Sequence, residues 1–301
     1  IFGFAGVRLT DSGLTVQLVL QDSTYLWIGT RSGGINRLEL ATNKITRYRG
    51  LTYDDLIRDL YIDEGGHLWA GTSEGLLLYE SGPENEPGQF KNISRNVIYR
   101  QHTNEPFNPI RKNVSVVSIF QHEPGKLILG AEEGLFEFDL AEASSFRSVS
   151  PITVDKTVFT KIYRDRKGQL WASSYDGLFR LAKRLNVNAY DVVIYSTRAT
   201  GDLRLPVDWV EDFVEDWFGD LWLATRGGGL LRISDNKVQD VYSYLRGGTN
   251  GIPDNIINSL FIDRTGVLWI GTESHELDYL DLFAKKFSVL LPEQQNGLGD
   301  Y

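Results

Sequence analysis

Asp263-Arg264-Thr265-Gly266-Val267-Leu268-Trp269-Ile270-Gly271-Thr272 decides the fold, because the chain repeats it. The string Leu-Trp-Ile-Gly-Thr at 268–272 also stands at 26–30. Four variants keep its register: Leu68-Trp69-Ala70-Gly71-Thr72, Leu127-Ile128-Leu129-Gly130-Ala131, Leu170-Trp171-Ala172-Ser173-Ser174 and Leu221-Trp222-Leu223-Ala224-Thr225. The marker leucines lie 42, 59, 43, 51 and 47 residues apart, and five of the seven tryptophans sit inside the strings. Self-similarity at such a period marks a repeat architecture.

The flanks say which one. Five residues before the leucine stands Asp63, Asp165, Asp216 or Asp263, with His122 in the third copy. Gly66, Gly125, Gly168, Gly219 or Gly266 follows three residues after that position. An Asp carboxylate can accept turn N–H groups and Gly takes a positive φ, so each pair reads as a tight hairpin. An alternating apolar stretch precedes it, as in Ile57-Arg58-Asp59-Leu60-Tyr61-Ile62. A Gly and a short apolar run follow, as in Gly229-Leu230-Leu231-Arg232-Ile233, and then a last strand. Four short antiparallel strands per repeat make the blade of an all-β propeller, with the Trp filling the wedge between blades.

Three copies depart from the pattern, the sixth by showing Glu273-Ser274-His275-Glu276 in place of its Gly. In the first, Asp22 lies only four residues before Leu26 and the turn Gly is missing. The third has no Trp. Residues Phe2–Leu9 read as an outer strand, and 296–301 read as the opening of a seventh repeat. The expectation is a single propeller domain over 1–301, with six blades visible and seven in the parent. A polar insertion, 81–108, carries Pro83, Pro87 and Pro106 and reads as a surface loop or a lip over one face.

The net charge of −9 and the aromatic fraction of 12% suit a sheet-rich globular protein and argue against nucleic acid as a partner. With no cysteine, disulfides, thiolate catalysis and Cys-ligated metals are excluded. No apolar run approaches the roughly 18 residues of a membrane span. The chain opens within folded-looking sequence, so any export signal is expected to have been removed or to lie outside it.

The blade D-x-x-G-x-L-W-I-G-T-x-x-G-G-L-x-R resembles the two-component regulator propeller repeat, best around Leu26, Leu68, Leu221 and Leu268. That resemblance implies the periplasmic sensor region of a Bacteroidetes-type hybrid two-component system, part of an inner-membrane protein. It implies an oligosaccharide ligand, further ectodomain modules on the same polypeptide, and a kinase outside this chain. A homodimer is a further expected partner state.

In a propeller, ligands bind at the connections between second and third strands and between blades. The first set holds Arg31, Ser73-Glu74, Glu132-Glu133, Tyr175-Asp176, Arg226 and Glu273-Ser274-His275; the second holds Tyr53-Asp54-Asp55, Trp209 and Asn255. Oligosaccharides need aromatic platforms beside charged or amide groups that bond hydroxyls in both directions. Arg31, Tyr175, Trp209, Arg226 and His275 are the ligand-binding candidates, although each also reads as an ordinary loop residue and Trp209 equally as core. The repeating turn aspartates read as structural. His275 stands near Glu273, Glu276 and Asp278 but lacks a metal-ligand spacing, so no metal and no cofactor are expected. Two other readings stand beside the sensor: a propeller-fold polysaccharide lyase or glycoside hydrolase, kept open by Tyr175 and Asp176, and a structural scaffold for dimerisation or transmission. The leading reading is non-catalytic.

Overall fold

The computed structural model describes residues 16–83, 86–93, 98–100, 114–132, 134–140, 145–148, 157–183, 190–244, 252, 254–273, 277–283 and 286–290. The expected strand at Phe2–Leu9, the seventh-repeat opening at 296–301 and His275 lie outside them.

The described residues form six sheets, antiparallel except for one parallel pairing in the third, and these are the blades of the expected propeller fold. The first holds β1 (Val16–Gln21), β2 (Tyr25–Thr30), β3 (Ile35–Glu39) and β4 (Ile45–Tyr48); the second holds β5 (Ile57–Ile62), β6 (Leu68–Thr72), β7 (Gly75–Glu80) and β8 (Gln89–Asn92). The third combines β9 (Ile98–Arg100), β10 (Val116–Glu123), β11 (Lys126–Ala131), β12 (Gly134–Asp139) and β13 (Ser145–Ser148). Next come β14 (Phe159–Arg164), β15 (Leu170–Ser174), β16 (Gly177–Lys183) and β17 (Tyr190–Tyr195). The fifth sheet is β18 (Val210–Glu215), β19 (Leu221–Thr225), β20 (Leu230–Ser234) and β21 (Lys237–Tyr242). The sixth is β22 (Ile257–Ile262), β23 (Val267–Thr272), β24 (Leu277–Asp281) and β25 (Lys286–Leu290). By internal contacts the chain divides into two compact units, Ile1–Ile162 and Tyr163–Tyr301.

The segment 81–108 is more than a loop. It supplies β8, the fourth strand of the second blade, and β9, which pairs parallel to β13 as a fifth strand of the third. Short polar strands such as Gln89–Asn92 acquire their state from pairing with a neighbour and not from local propensity.

Each marker string is a second strand, and in four of them the buried Trp packs into the following blade. Trp27 joins Ile57, Leu60 and Leu68 of the second blade, and Trp69 joins Val116, Ile119 and Leu127 of the third. In the other unit Trp171 joins Val210 and Phe213, and Trp222 joins Ile257, Leu260 and Leu268. The turn Asp is tied to this Trp. Its Oδ2 accepts the indole N–H at 2.9 Å in five blades: Asp22–Trp27, Asp63–Trp69, Asp165–Trp171, Asp216–Trp222 and Asp263–Trp269. Its Oδ1 accepts turn N–H groups, such as that of Gln169 at 2.7 Å. Bonds led by the Thr265 hydroxyl hold the Asp263 carboxyl down at about 2. The short first hairpin keeps the device, with Oδ1 of Asp22 taking Thr24 and Tyr25 N–H at 2.7 and 2.6 Å. The third blade replaces it. Ile128 stands in the Trp register opposite Glu137, and buried His122 lies 3.4 Å from that carboxylate.

A second device joins first strands. Asp59 Oδ2 accepts the N–H of Ile119 in the next blade at 2.7 Å, and Asp212 Oδ2 accepts that of Leu260 at 2.8 Å. Burial pushes the Asp59 carboxyl up to about 7, against the opposing bonds from Ile119 and Leu60 and the charge of Lys161. A raised carboxyl favours the protonated native state, so this contribution is complete below about pH 4 and is lost as pH rises through about 7. Thermal melts from pH 5 to 8 should show the native protein's advantage over Asp59→Asn shrinking with pH, by about 2–3 kcal/mol. A gap independent of pH would remove Asp59 as the titrating group.

Candidate functional site

The site in the second unit is built by a register device. The first strands of five blades each carry a β-bulge, at Val16/Leu18, Ile57/Asp59, Val116/Ser118, Val210/Asp212 and Ile257/Ser259. Bulges bend a strand end and re-aim a side chain. The residues inserted in the last two blades are Glu211 and Asn258. The residue following each marker string is fixed beside them: Arg226 donates its N–H to Trp209 O at 3.1 Å, and Glu273 donates to Ile256 O at 3.0 Å. The Gly227 N–H reaches Asn255 O at 2.8 Å, tying the fifth blade's turn to the approach of the sixth.

These constraints gather Tyr175, Trp209 and Arg226. The Tyr175 and Trp209 ring centroids lie 4.2 Å apart at 41°, and the Arg226 guanidinium carbon stands 5.0 Å from the Trp209 ring centre. The two rings are 38% and 36% exposed, so Trp209 is not a core residue. Trp209 Nε1 donates to Glu211 Oε2 at 2.7 Å. Arg226 reaches Asn258 Oδ1 at 3.4 Å and Glu273 Oε2 at 3.7 Å, and Asn258 Nδ2 donates to Glu273 at 2.9 Å. Burial raises the Glu211 carboxyl, opposed by the Trp209 bond and the Arg226 charge and reinforced by Asp212 and Glu273. The result is a half-exposed aromatic pair edged by a guanidinium, a carboxamide and two carboxyl groups.

Arg31 lies in the first unit, exposed after β2, and belongs to no such cluster among the described residues. There the other loop candidates form a smaller group: Ser73 donates to Asp54 at 2.8 Å and Tyr53 N–H donates to Glu74 at 3.0 Å. Asp55 caps its own loop through the Gly50 and Leu51 N–H groups, both at 2.8 Å. Glu211 and Asn258 escape a reading of the loops because they sit inside first strands. Their signal is a polar residue directly after the first buried apolar one, as in Val210-Glu211 and Ile257-Asn258.

Fold and register together define a β-propeller of tandem four-stranded repeats. The model of the two component regulator propeller matches residues 251–274, within the sixth repeat. Among solved structures the chain is similar to the extracellular domain of the hybrid two component system BT3049 from B. thetaiotaomicron, at 18% identity and a TM-score of 0.64 over 90% of this chain and 35% of that one. It is also similar to the extracellular domain of the one component system BT4673 from the same organism, at 17% and 0.54 over 94% and 42%. Virginiamycin B lyase from Staphylococcus aureus matches at 12% and 0.66 over 96% and 88%. At these identities the likeness carries the fold alone. The chain spans about two fifths or less of the two B. thetaiotaomicron chains. No curated protein matches it.

Proposed function

We propose that this chain is a non-catalytic, extracytoplasmic ligand-recognition module of a two-component sensor, and that Tyr175, Trp209 and Arg226 take an oligosaccharide. The cluster itself carries the reading. Sugar rings pack their C–H faces on half-exposed aromatic rings, and their hydroxyls both donate and accept. Arg226 supplies donors, Glu211 and Glu273 supply acceptors, and Asn258 supplies both. Two-component repeats in the sequence and the fold of extracellular sensor domains support the assignment. The net negative charge favours a neutral glycan over an acidic one.

Calorimetric titration against a panel of neutral oligosaccharides tests it. One glycan class should bind, and Trp209→Ala should weaken that binding by about tenfold or more, in line with about 1.4 kcal/mol or more lost with an aromatic anchor. Arg226→Ala should weaken it as well. Silence across the panel, or unchanged affinity in Trp209→Ala, defeats the proposal. Turnover of a glycan would replace recognition by catalysis.

A further inference from the structure

A cavity of about 390 Å³ opens between the fifth and sixth blades, away from the cluster above, lined by Trp222, Arg232, Tyr242, Leu280, Phe218 and Phe283 among others. In the corresponding wedge between the first and second blades the Tyr79 and Phe90 rings pack against Trp27. Register relates the two. Trp27 pairs with Arg37 as Trp222 pairs with Arg232. Tyr48 stacks on Trp27 at 6.2 Å as Tyr242 stacks on Trp222 at 5.8 Å. Tyr79 follows Leu78, the partner of Trp69, and Leu280 follows Tyr279, the partner of Trp269. Leu280 therefore stands where the first wedge has Tyr79.

In the first wedge the Tyr79 ring meets Trp27 edge-on at 4.9 Å, and its hydroxyl accepts a bond from Arg37 NH1 at 2.7 Å. Leucine at that position supplies neither the ring nor the hydroxyl, and it lines the cavity together with Trp222 and Arg232. Its mouth is aromatic. Phe218 and Phe283, each 64% exposed, meet edge to face at 5.8 Å. Phe283 is seated on Gly266, where any Cβ would collide with its ring. We infer that this cavity binds a ligand carrying an uncharged phenol ring, which takes the place of Tyr79: edge-on to Trp222, with its hydroxyl toward Arg232.

Electrostatics narrows the class. Arg232 NH1 donates to Asp220 at 2.8 Å and Nε donates to Asp240 at 2.6 Å. Both acids use Oδ2, and the guanidinium keeps N–H donors for a neutral hydroxyl. With Asp216, Asp220 and Asp240 facing a single cation, the cavity repels carboxylates and phosphates. A free phenol and the tyrosyl side chain of a peptide share the required chemistry.

The test is titration of the protein with p-cresol, read at the Trp222 indole N–H resonance, which Trp222→Phe identifies. The resonance should shift with a Kd of about 1–10 mM, as suits so small a ligand. Phenylacetate should leave it in place. Leu280→Tyr should abolish the shift and raise the melting temperature by filling the wedge from within. Phe283→Ala, an exposed change at the mouth, should weaken binding several-fold with the fold intact. A blocked Gly-Tyr-Gly peptide that binds more tightly than p-cresol identifies a tyrosyl source; weaker binding identifies a free phenol. An unmoved resonance with both probes, or a shift that persists in folded Leu280→Tyr, overturns the inference.

Discussion

Asp216→Ala is expected to destabilise the second unit by about 3–4 kcal/mol, lowering its melting temperature by on the order of 10 °C. This carboxylate is 2% exposed and serves three donors. Oδ1 accepts the N–H groups of Phe218 and Asp220 at 2.8 and 3.0 Å, and Oδ2 accepts the Trp222 indole at 2.9 Å. Alanine leaves them without that acceptor, two of them buried, and an unmade buried bond costs more than a made one contributes. Asp216→Asn keeps one acceptor oxygen and should cost less. A cycle with Trp222→Phe separates the turn from the wedge: the double variant should fall short of the summed single losses by about 1 kcal/mol or more. A loss below about 1 kcal/mol in Asp216→Ala would show that the Asp–Trp link does not hold the blade.

That link also shows how far the sequence can be read. Spacing reveals the turn aspartate and the buried Trp separately, because one obeys turn chemistry and the other the period of a strand. Their bond depends on the hairpin folding the Trp back over the turn, which is three-dimensional information. His122 and Glu137 are the sharpest instance. In the sequence they are a lost Asp and an unremarkable strand residue 15 positions apart; in the third blade they meet where Asp and Trp meet elsewhere.

The candidate site was legible in the same partial way. Tyr175, Trp209 and Arg226 stand out as loop residues of suitable chemistry, and they converge because consecutive blades present equivalent loops together. Arg31 has the same credentials but no comparable company among the described residues. Glu211 and Asn258 were hidden by the bulge. Strict alternation would put the residue after a buried one on the solvent face, whereas an inserted residue breaks the alternation and turns the side chain toward the loops. The strand β9 was hidden for another reason: three residues paired in parallel with a segment far along the chain leave no local pattern.

Gly229→Ala is the second large effect, expected to cost about 3 kcal/mol or more, against about 1 kcal/mol for Gly227→Ala two residues away. Both glycines have positive φ, at 79° and 106°. The strain of placing an L-residue there is therefore common to the two. The surroundings differ. A Cβ at Gly227 would meet nothing within 4 Å, whereas one at Gly229 would collide with the Tyr242 carbonyl oxygen and crowd Ile252. Tyr242 is stacked on Trp222, so the fourth strand cannot retreat without unpacking the wedge. The same collision recurs at Gly34 with Tyr48 and at Gly177 with Tyr195, whose rings pack on Trp27 and Trp171. Thermal melts of the two variants measure the difference. Equal losses would mean that backbone strain alone fixes this glycine; a much larger loss at Gly229 would show that the repeat keeps it so that the fourth strand can approach the turn.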